Sequence, residues 1–493
     1  MKFKRLLIGC FLCAIVCLGA VLTPAAAFAA PMPTQPPKTP SDTLTIPQKV
    51  QLYAIAHHTW QFFDADADPT THLPMDNIGF NGAPARGAYT SPTNIGVAFW
   101  SIVNAQDLGF VSRIDALKRA NALLSEVEKL SKWHGFLFSW YDTTNGHRIS
   151  GPGGTDQEGQ PATGAFISTV DSAWYATGLI AVRNVFPALA PRATALLNAM
   201  DFGIFYDNGD QSQSDTAGQM YGGYNADQGP ANFHYGILNA ETRIAAYIGI
   251  GTHRMPGDVW WRTWRTLPAS FDWQGQTPQG YNATYNDPQS GKPFTVFEGH
   301  YTTNGINFVP SWGGSMFEGL MNNLVIPETS WGPHSFGLND QLYARAQQAY
   351  ATQTLHYPVW GLSPASTPDD TGNYDAYGAR NMASNKNCCP YDETAVTPHA
   401  SFLTLTVTPQ EAFKNIQQLK QRYPGIYGRY GFYDSVNPVT GQIGHRYLVL
   451  DQAMILSALD NALLNNRMQS HFANDPIIAA DKPYLSQERF SLP

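Results

Sequence analysis

Apolar residues recur at helical spacing through most of the chain, and this periodicity predicts a mainly α-helical fold. Strand-like alternation is sparse and centres on residues 294–309. The clearest predicted core face lies in the segment 112–133 and consists of Ile114, Leu117, Leu124, Val127 and Leu130. The predicted helices cover residues 45–63, 94–108, 112–133, 168–186, 190–200, 239–249, 314–324, 339–353, 409–422 and 448–466.

Three long polar loops interrupt the predicted helices, at residues 207–232, 272–294 and 364–398. Loops of this length inside a compact domain usually carry function. No break in composition separates the segments from one another. We therefore expect one large domain over residues 44–493, although the length alone would allow two or three.

The first thirty residues have the pattern of a secretory signal peptide. Lys2, Lys4 and Arg5 form a basic start, an apolar run follows, and a small-x-small cleavage site ends at Ala29. Residues 31–43 are a proline-rich linker with no core positions. No other segment is long and apolar enough for a membrane helix, so we expect a secreted protein that is free of the membrane after cleavage.

Charge, cysteines and aromatic residues narrow the classes of partner. The formal net charge is −8, and the predicted signal contains no acidic residue, so the rest of the chain is more acidic still. This balance argues against a nucleic-acid partner. Of the five cysteines only the adjacent Cys388 and Cys389 lie beyond the signal, either as a vicinal disulfide or as two thiols. Aromatic residues make up 13% of the chain, which fits sugar binding and also fits a large helical core.

Several signatures of well-known chemistry are missing from the sequence. It has no His-Glu-x-x-His, no Gly-x-Ser-x-Gly, no Gly-x-x-x-x-Gly-Lys and no pair of Cys-x-x-Cys motifs. Zinc hydrolysis, serine-ester chemistry and nucleotide-dependent transfer are therefore disfavoured, and we expect neither a metal nor a cofactor. Carboxylates in polar, aromatic segments are left as the candidates for chemistry.

Glu241 is the first candidate among these carboxylates. Asn239 is a fair N-cap and Gly249 a fair stop, so the pattern predicts a short helix with Glu241 on its apolar stripe. A carboxylate among apolar neighbours has its charged form desolvated, which raises its pKa and suits it to donate a proton. The alternative is that Glu241 only complements the helix dipole in the first turn.

Five further carboxylates have a structural alternative beside the chemical one. Asp76 fits a turn that bonds its own backbone, and we expect this turn to lie beside residues 90–96. Asp171 fits a capping box with the serine three residues earlier, and Glu318 also fits a helix cap. Asp434 follows three aromatic residues and fits a site or a plain turn, while Asp451 fits the start of the last long helix.

Several motifs together resemble a known family. Residues 90–96, 134–143, 168–172, 311–321 and 430–434 resemble the cyclization region of cyclic β-1,2-glucan synthases. Residues 239–242, 396–401, 430–438 and 450–455 resemble the bacterial glucoamylase-like proteins, which include endo-β-1,2-glucanases. The matches run in the same order from about residue 50 to about residue 480.

The resemblance implies a fold and a mechanism. The fold it implies is an all-α (α/α)6 toroid. In the glucanases the position of Glu241 holds the general acid, that of Asp434 the base, and that of Asp171 a residue of the cleft. These enzymes invert the anomeric configuration, and their acid acts through a substrate hydroxyl. The synthase region is a retaining transglycosylase with a glutamate at the position of Asp434, and the shorter aspartate of this chain favours activation of water.

The sequence therefore predicts a monomeric glycoside hydrolase that acts on an oligo- or polysaccharide, with β-1,2-glucan as the first substrate to test. Glu241 is the predicted acid and Asp434, which we expect to stay ionised, is the predicted base; Asp451 is the alternative base. The other predicted cleft residues are Asp76, Asp171 and Glu318, with Trp140, Trp174 and Trp312 as stacking platforms.

Three alternatives stay open at this point. The first is a retaining transglycosylase, and the second is a glycan-binding protein without catalysis. The third is a polysaccharide lyase on a similar toroid, with Tyr235 and His234 as its base pair. A lyase needs an anionic uronic acid, which fits poorly with the acidic composition of the chain.

Overall fold

Helices account for 42% of the computed structural model, which describes residues 43–80, 85–210 and 214–492. The predicted signal peptide and nearly all of the predicted linker lie outside the described residues. None of the helices in these ranges has the length and apolarity needed to cross a membrane. The helices are α1 Ile46–Asp66, α2 Pro92–Asp107, α3 Arg113–Lys129, α4 Thr169–Val185, α5 Ala190–Asn198, α6 Arg243–Gly251, α7 Asp258–Arg262, α8 Met316–Leu320, α9 Glu328–Trp331, α10 Phe336–Ala349, α11 Pro398–Leu403, α12 Pro409–Arg422, α13 Val449–Leu463, α14 Arg467–Ser470, α15 Pro476–Ala479 and α16 Lys482–Gln487.

The strands are short and more numerous than the sequence predicted. The one long hairpin pairs β12 with β13 in antiparallel register from Gln279↔His300 to Asn286↔Pro293, and β14 continues this sheet. The helix-rich prediction is confirmed, but an all-α description leaves these strands out. They are β1 Asn77–Gly79, β2 Ala85–Gly87, β3 Tyr89–Thr90, β4 Lys132–Trp133, β5 Phe136–Leu137, β6 Tyr141–Asp142, β7 Phe166–Ser168, β8 Met220–Tyr221, β9 Gly223–Asn225, β10 Gly229–Pro230, β11 His234–Tyr235, β12 Gln279–Asn286, β13 Pro293–Thr303, β14 Ile306–Phe308, β15 Ala365–Ser366, β16 Tyr374–Asp375, β17 Tyr427–Gly428, β18 Gly431–Phe432, β19 Ser435–Val436, β20 Ile443–Gly444 and β21 Arg446–Leu448.

Local sequence explains where the first helices begin. Thr45 caps α1 in a capping box: its backbone N–H donates to the Gln48 side chain over 2.7 Å, and its hydroxyl accepts from the Gln48 backbone. Ser91 caps α2 by accepting from the backbone N–H of Asn94 over 3.1 Å. These bonds satisfy backbone donors that have no partner inside the helix, so both helices begin close to their predicted starts.

Helices α2 and α4 form the centre of the core. They are apolar on nearly every side, α2 also packs on α13, and α4 packs on α5 and α6. Their backbones touch at Gly96 and Gly178, where a Cβ on Gly96 would lie 2.3 Å from the Trp174 carbonyl oxygen. Only glycine fits such a crossing.

Helix α3 corrects one predicted core position. Ile114 is 68% exposed, and the buried side of the helix consists instead of Ala116, Ala120, Leu123, Leu124 and Val127.

Candidate active site

Six buried helices each place a polar side chain at or near their N-terminal end. The positive end of a helix dipole favours negative charge, which partly offsets the cost of burying carboxylates there. The six residues are Asn94 of α2, Asp171 of α4, Glu241 just before α6, Glu318 of α8, His399 of α11 and Asp451 of α13.

Glu241 lies in a turn immediately before α6 and not inside the helix. The predicted helix start at Asn239 is wrong, because the Asn239 amide donates to the Val309 carbonyl over 2.7 Å and does not cap the helix. The Glu241 side chain is half-buried. Burial first, and then the charge of Glu318, raise the pKa of Glu241 to about 8, while Arg243 opposes the shift. This is the direction expected of a proton donor.

Arg243 joins the Glu241 turn to the segment that carries Glu318. Its Nη1 donates to the Ala240 carbonyl over 2.9 Å, and its Nη2 donates to the Gly319 carbonyl over 2.8 Å. The guanidinium is buried. The two carboxyl groups are therefore held by one rigid side chain.

Glu318 is both a helix cap and a wall of the cleft. Its carboxylate accepts from the Ser311 hydroxyl over 2.5 Å and from the Gly313 backbone over 2.9 Å, and it forms a capping box with Ser315. A hydrogen bond from Tyr391 reaches the same carboxylate. Burial raises the pKa of Glu318, and these donors act in the opposite direction. The predicted cap is confirmed.

A cavity of about 460 Å³ opens in front of Glu241 and Glu318. Its walls are largely aromatic, which matches the apolar faces of a sugar ring, and its volume lies in the range of ligand pockets. Trp312, a predicted platform, is one of these walls and contacts Trp273 at a ring distance of 6.0 Å. The aromatic lining consists of Phe233, Tyr235, Trp264, Phe271, Trp273, Trp312 and Tyr391.

Asp434 and Asp451 form a second carboxyl pair, buried to 2% exposure each. The Ser366 backbone N–H donates to Asp434 Oδ2 over 2.6 Å. The two carboxyl groups are near neighbours, and a hydrogen bond between them requires one to be protonated because a carboxylate only accepts. His399 Nδ1 lies 3.2 Å from Asp451 Oδ2.

The electrostatics of this pair correct one expectation. Burial raises the pKa of Asp451 to about 7, and burial together with Asp451 raises the pKa of Asp434 well above its usual range. Burial also lowers the pKa of His399 to about 4, so the imidazole is neutral near pH 7. Asp434 is therefore not an independently ionised carboxylate. The two groups titrate as a coupled pair, and its negative charge appears as pH rises through about 7.

Asp76 and Asp171 are the last two of the carboxylates predicted for the site. Asp76 accepts from the side chains of Asn94 and Asn77 over 2.9 Å each, so its turn does lie beside residues 90–96 as expected. The Ser168 hydroxyl caps α4 by accepting from the Asp171 backbone over 3.2 Å. The Asp171 carboxylate accepts from the Thr93 hydroxyl, so it is turned toward α2.

Electrostatic interactions connect the six predicted carboxylates, of which Glu241 and Glu318 line the cavity. The charge of Asp76 acts on Asp451, and the charge of Asp171 acts on Glu241. Burial raises the pKa of Tyr374, and so do the charges of Asp451, Asp434, Glu241 and Asp76. The Tyr374 hydroxyl is therefore within electrostatic reach of both Glu241 and the Asp434–Asp451 pair.

The predicted tryptophan platforms differ in their surroundings. Trp140 is half-buried, meets Tyr89 edge-on at 5.7 Å, and lines a separate cavity of about 290 Å³. Trp174 is only 1% exposed and packs on Trp100 at 5.5 Å, so no sugar can stack on it. That prediction is wrong, because the position faces the α2–α4 core.

Sequence reasoning missed Ser366, Tyr374, Tyr391 and His399. The first three lie in the loop 364–398, and the length of that loop was the sign in the sequence that it carries function.

The structure also bears on the lyase alternative. His234 Nε2 is bonded to Asp207 over 2.8 Å, and burial and two carboxylates raise the pKa of Tyr235, which makes it a poorer base.

Comparison with known proteins supports the family. Residues 234–476 match the family model Glycoamylase, described as "Putative glucoamylase". The predicted resemblance is confirmed. The chain is 22% identical over 89% of its length to the cyclic β-(1,2)-glucan synthase NdvB of Rhizobium meliloti. It is 23% identical over 85% of its length to an exo-β-1,2-glucooligosaccharide sophorohydrolase of Parabacteroides distasonis. The matches span 18% and 56% of those two proteins.

Solved structures support the fold. The chain superposes on an endo-β-1,2-glucanase of Chitinophaga pinensis with a TM-score of 0.65 and 18% identity, covering 90% of this chain and 98% of that one. A β-1,2-glucanase of Parabacteroides distasonis gives a TM-score of 0.69 at 18% identity, covering 89% and 60%.

Proposed function

We propose that this protein is a glycoside hydrolase that cleaves β-1,2-glucan with inversion of the anomeric configuration. The observation that carries the proposal is the pairing of carboxyl groups on two sides of one cleft. Glu241 holds a proton because of burial and Glu318, and the Asp434–Asp451 pair holds a negative charge. Acid–base catalysis needs two such groups, one that holds a proton and one that holds a negative charge. The activities named for the similar glucanases and for the sophorohydrolase support the β-1,2 linkage.

In this mechanism Glu241 gives its proton to the glycosidic oxygen, directly or through a sugar hydroxyl, as the bond to the anomeric carbon breaks. A water molecule forms the new bond to that carbon from the opposite face. The Asp434–Asp451 pair takes the proton that the water loses, and the product is inverted. Asp434 is the proposed contact to the attacking water, and Asp451 shares a proton with Asp434.

We also propose that the helices form the (α/α)6 toroid. Successive contacts join α2 to α4, α4 to α6, α8 to α11, α11 to α13, and α13 back to α2. Arg243 bridges the remaining gap between α6 and α8. Each of these helices is flanked in sequence by others that pack outside it, such as α3 on α2, α5 on α4 and α12 on α11. This alternation supports an inner ring of six helices whose N-terminal ends line the cleft.

The remaining parts of the proposal rest on the sequence. We propose a secreted monomer whose partner is a glucan and that engages neither nucleic acid nor, after signal cleavage, a membrane. Its acidic composition and the basic–apolar leader pattern support this assignment.

Product analysis on linkage-defined glucans tests the function. We expect reducing ends from β-1,2-glucan, with the inverted anomer seen by NMR at early times. Glu241→Gln is expected to lower turnover by a factor of about 10²–10⁴, the usual contribution of one positioned acid. Glu298→Gln is the matched control, because burial also raises the pKa of Glu298 to about 8 in a different part of the structure.

Each alternative has its own outcome in this assay. A retained anomer with transfer products would identify a transglycosylase, and an unsaturated end absorbing in the ultraviolet would identify a lyase. Binding without cleavage would identify a glycan-binding protein. Full activity of Glu241→Gln would rule out the proposed acid.

A further inference from the structure

The hairpin formed by β15 and β16 holds one member of the carboxyl pair. Its register places Ser366 opposite Tyr374. Ser366 is the residue whose backbone N–H bonds Asp434. Because directly opposed residues of an antiparallel pair are close neighbours, Tyr374 starts from a backbone position beside the Asp434 carboxyl group.

The tip of the same hairpin is anchored to the segment that leads into α13. Asp370 accepts from the backbone N–H of His445 over 2.6 Å. Gly372 lies so close to Arg446 that a Cβ there would be 2.3 Å from its Nη2. Arg446 in turn donates to Asn77, whose amide bonds Asp76. The hairpin is therefore fixed to the carboxylates at both ends.

Tyr374 lies on this fixed hairpin, beside the carboxyl groups of the cleft. The residue is 55% exposed, and its hydroxyl is near enough to four carboxyl groups for their charges to act on it. No hydrogen bond joins that hydroxyl to any of the other described residues. A hydroxyl without such a bond, on a partly exposed residue beside a polar cleft, is available to a ligand.

The chemistry of the site favours a donor at this point. The surrounding carboxylates accept hydrogen bonds, whereas the neutral phenol can donate one to a sugar hydroxyl. Burial and the neighbouring carboxyl groups raise the pKa of the phenol, so it stays protonated. Its ring can also cover the face of a sugar, as aromatic rings do in carbohydrate sites.

We propose that Tyr374 contacts the substrate directly: its hydroxyl donates a hydrogen bond to the sugar unit held between Glu241 and the Asp434–Asp451 pair, and its ring covers that unit. This inference rests on the proposed function. It assigns the β15–β16 hairpin two tasks, one toward Asp434 through Ser366 and one toward the substrate through Tyr374.

The test uses Tyr374→Phe, which keeps the ring and removes the donor, and Tyr374→Ala, which removes both. Tyr281→Phe is the matched control, since Tyr281 is 48% exposed and its hydroxyl donates to the Arg489 carbonyl away from the cleft. Loss of one hydrogen bond to the substrate is expected to lower kcat/KM on β-1,2-glucan about tenfold in Tyr374→Phe, with a larger loss in Tyr374→Ala.

Two further measurements separate substrate contact from a structural role. In the Glu241→Gln background, calorimetry with β-1,2-glucooligosaccharides should show affinity weakened about tenfold by Tyr374→Phe. Tyr374→Phe should leave the Tm and both limbs of the profile of kcat/KM against pH unchanged. If the substitution altered the surroundings of Asp434, the acidic limb of that profile would move.

The outcomes distinguish this inference from the proposed function. If the wild-type protein does not cleave β-1,2-glucan, the proposed function fails, and the inference fails with it. If the wild-type protein cleaves it and Tyr374→Phe changes neither affinity nor kcat/KM beyond the Tyr281→Phe control, the function stands and the role of Tyr374 is refuted. A lowered Tm or a shifted acidic limb would also refute substrate contact as the role of Tyr374.

Discussion

Arg243 donates two parallel hydrogen bonds to Glu328, from Nε to Oε1 over 2.7 Å and from Nη2 to Oε2 over 2.9 Å. Neither side chain is exposed, and the Tyr247 hydroxyl donates to the same carboxylate over 2.8 Å. The ion pair is thus fully satisfied inside the core, two residues from the proposed acid. Its role is to hold the turn of Glu241 against the helix of Glu318.

Breaking this pair should destabilise the protein strongly. Glu328→Gln leaves the Arg243 charge buried without its partner, which typically costs about 3–5 kcal/mol. Urea unfolding measures the loss. Asp64→Asn is the control, because the Asp64–Arg119 pair is on the surface with side-chain exposures of 55% and 40%, and such pairs contribute about 0–1 kcal/mol. Equal effects of the two substitutions would contradict the role given to Arg243.

The pH profile should be narrow and centred slightly above neutral pH. The pair must hold its negative charge, so activity rises as pH increases through about 7, the pKa of Asp451. Glu241 must hold its proton, so activity falls as pH increases through about 8. The profile of kcat/KM against pH measures both limbs.

The alkaline limb should move when a neighbouring charge is removed. Glu318→Gln is expected to shift it to lower pH, since Glu318 is the largest charge contribution to the raised pKa of Glu241. Asp171→Asn, which removes a smaller contribution, should shift it less. A limb that does not respond to either substitution belongs to a group other than Glu241.

Asp434 and Asp451 should behave as one base. Asp434→Asn and Asp451→Asn are each expected to lower turnover by a factor of about 10²–10⁴. The turnover of the double variant should be only slightly lower than that of the less active single variant. Asp460→Asn is the control on the same helix, because Asp460 is also buried with a raised pKa but lies near Asp107. Near-normal turnover of Asp451→Asn would mean that Asp434 acts without it.

The adjacent cysteines form a disulfide, one of the two states that the sequence allowed. Replacing both Cys388 and Cys389 with serine should change the unfolding free energy by less than about 1 kcal/mol, because adjacent residues close almost no loop. The turn is also held without sulfur, since the Asn385 side chain donates to the Cys389 carbonyl over 2.9 Å. Urea unfolding with and without reductant gives the measurement, and a substantially larger loss would assign the bridge a structural role.

Local signals were sufficient for the long helices of the fold. The helix predicted over 94–108 corresponds to α2, where the Ser91 cap and the burial of the helix agree with each other. At α6 the predicted cap was wrong, because the Asn239 amide donates to the carbonyl of Val309, which is distant in sequence, and does not cap the helix. Short helices such as α8 and strands of two residues have too few positions for periodicity to appear.

The site was predictable only where a motif carried it. Glu241, Asp434 and Asp451 stand in the motifs of the resemblance, and the structure places all three within electrostatic reach of Tyr374. Trp174 was misplaced because periodicity does not say which side of a helix faces a cleft and which faces another helix. Tyr374 depends on strand register and on the contacts of the hairpin tip, and neither can be read from neighbouring residues.

The glycine contact between α2 and α4 makes the width of the cleft a property of the backbone. Asn94 and Asp171 stand near the N-terminal ends of these two helices, so any added atom at Gly96 or Gly178 would push these polar groups apart. Since a displacement of roughly 1 Å at a reacting centre can cost about a hundredfold in rate, a protein altered there could fold and still be inactive. Attempts to adapt this scaffold to bulkier glycans would therefore do better to alter the loops above the cleft than the helices beneath it.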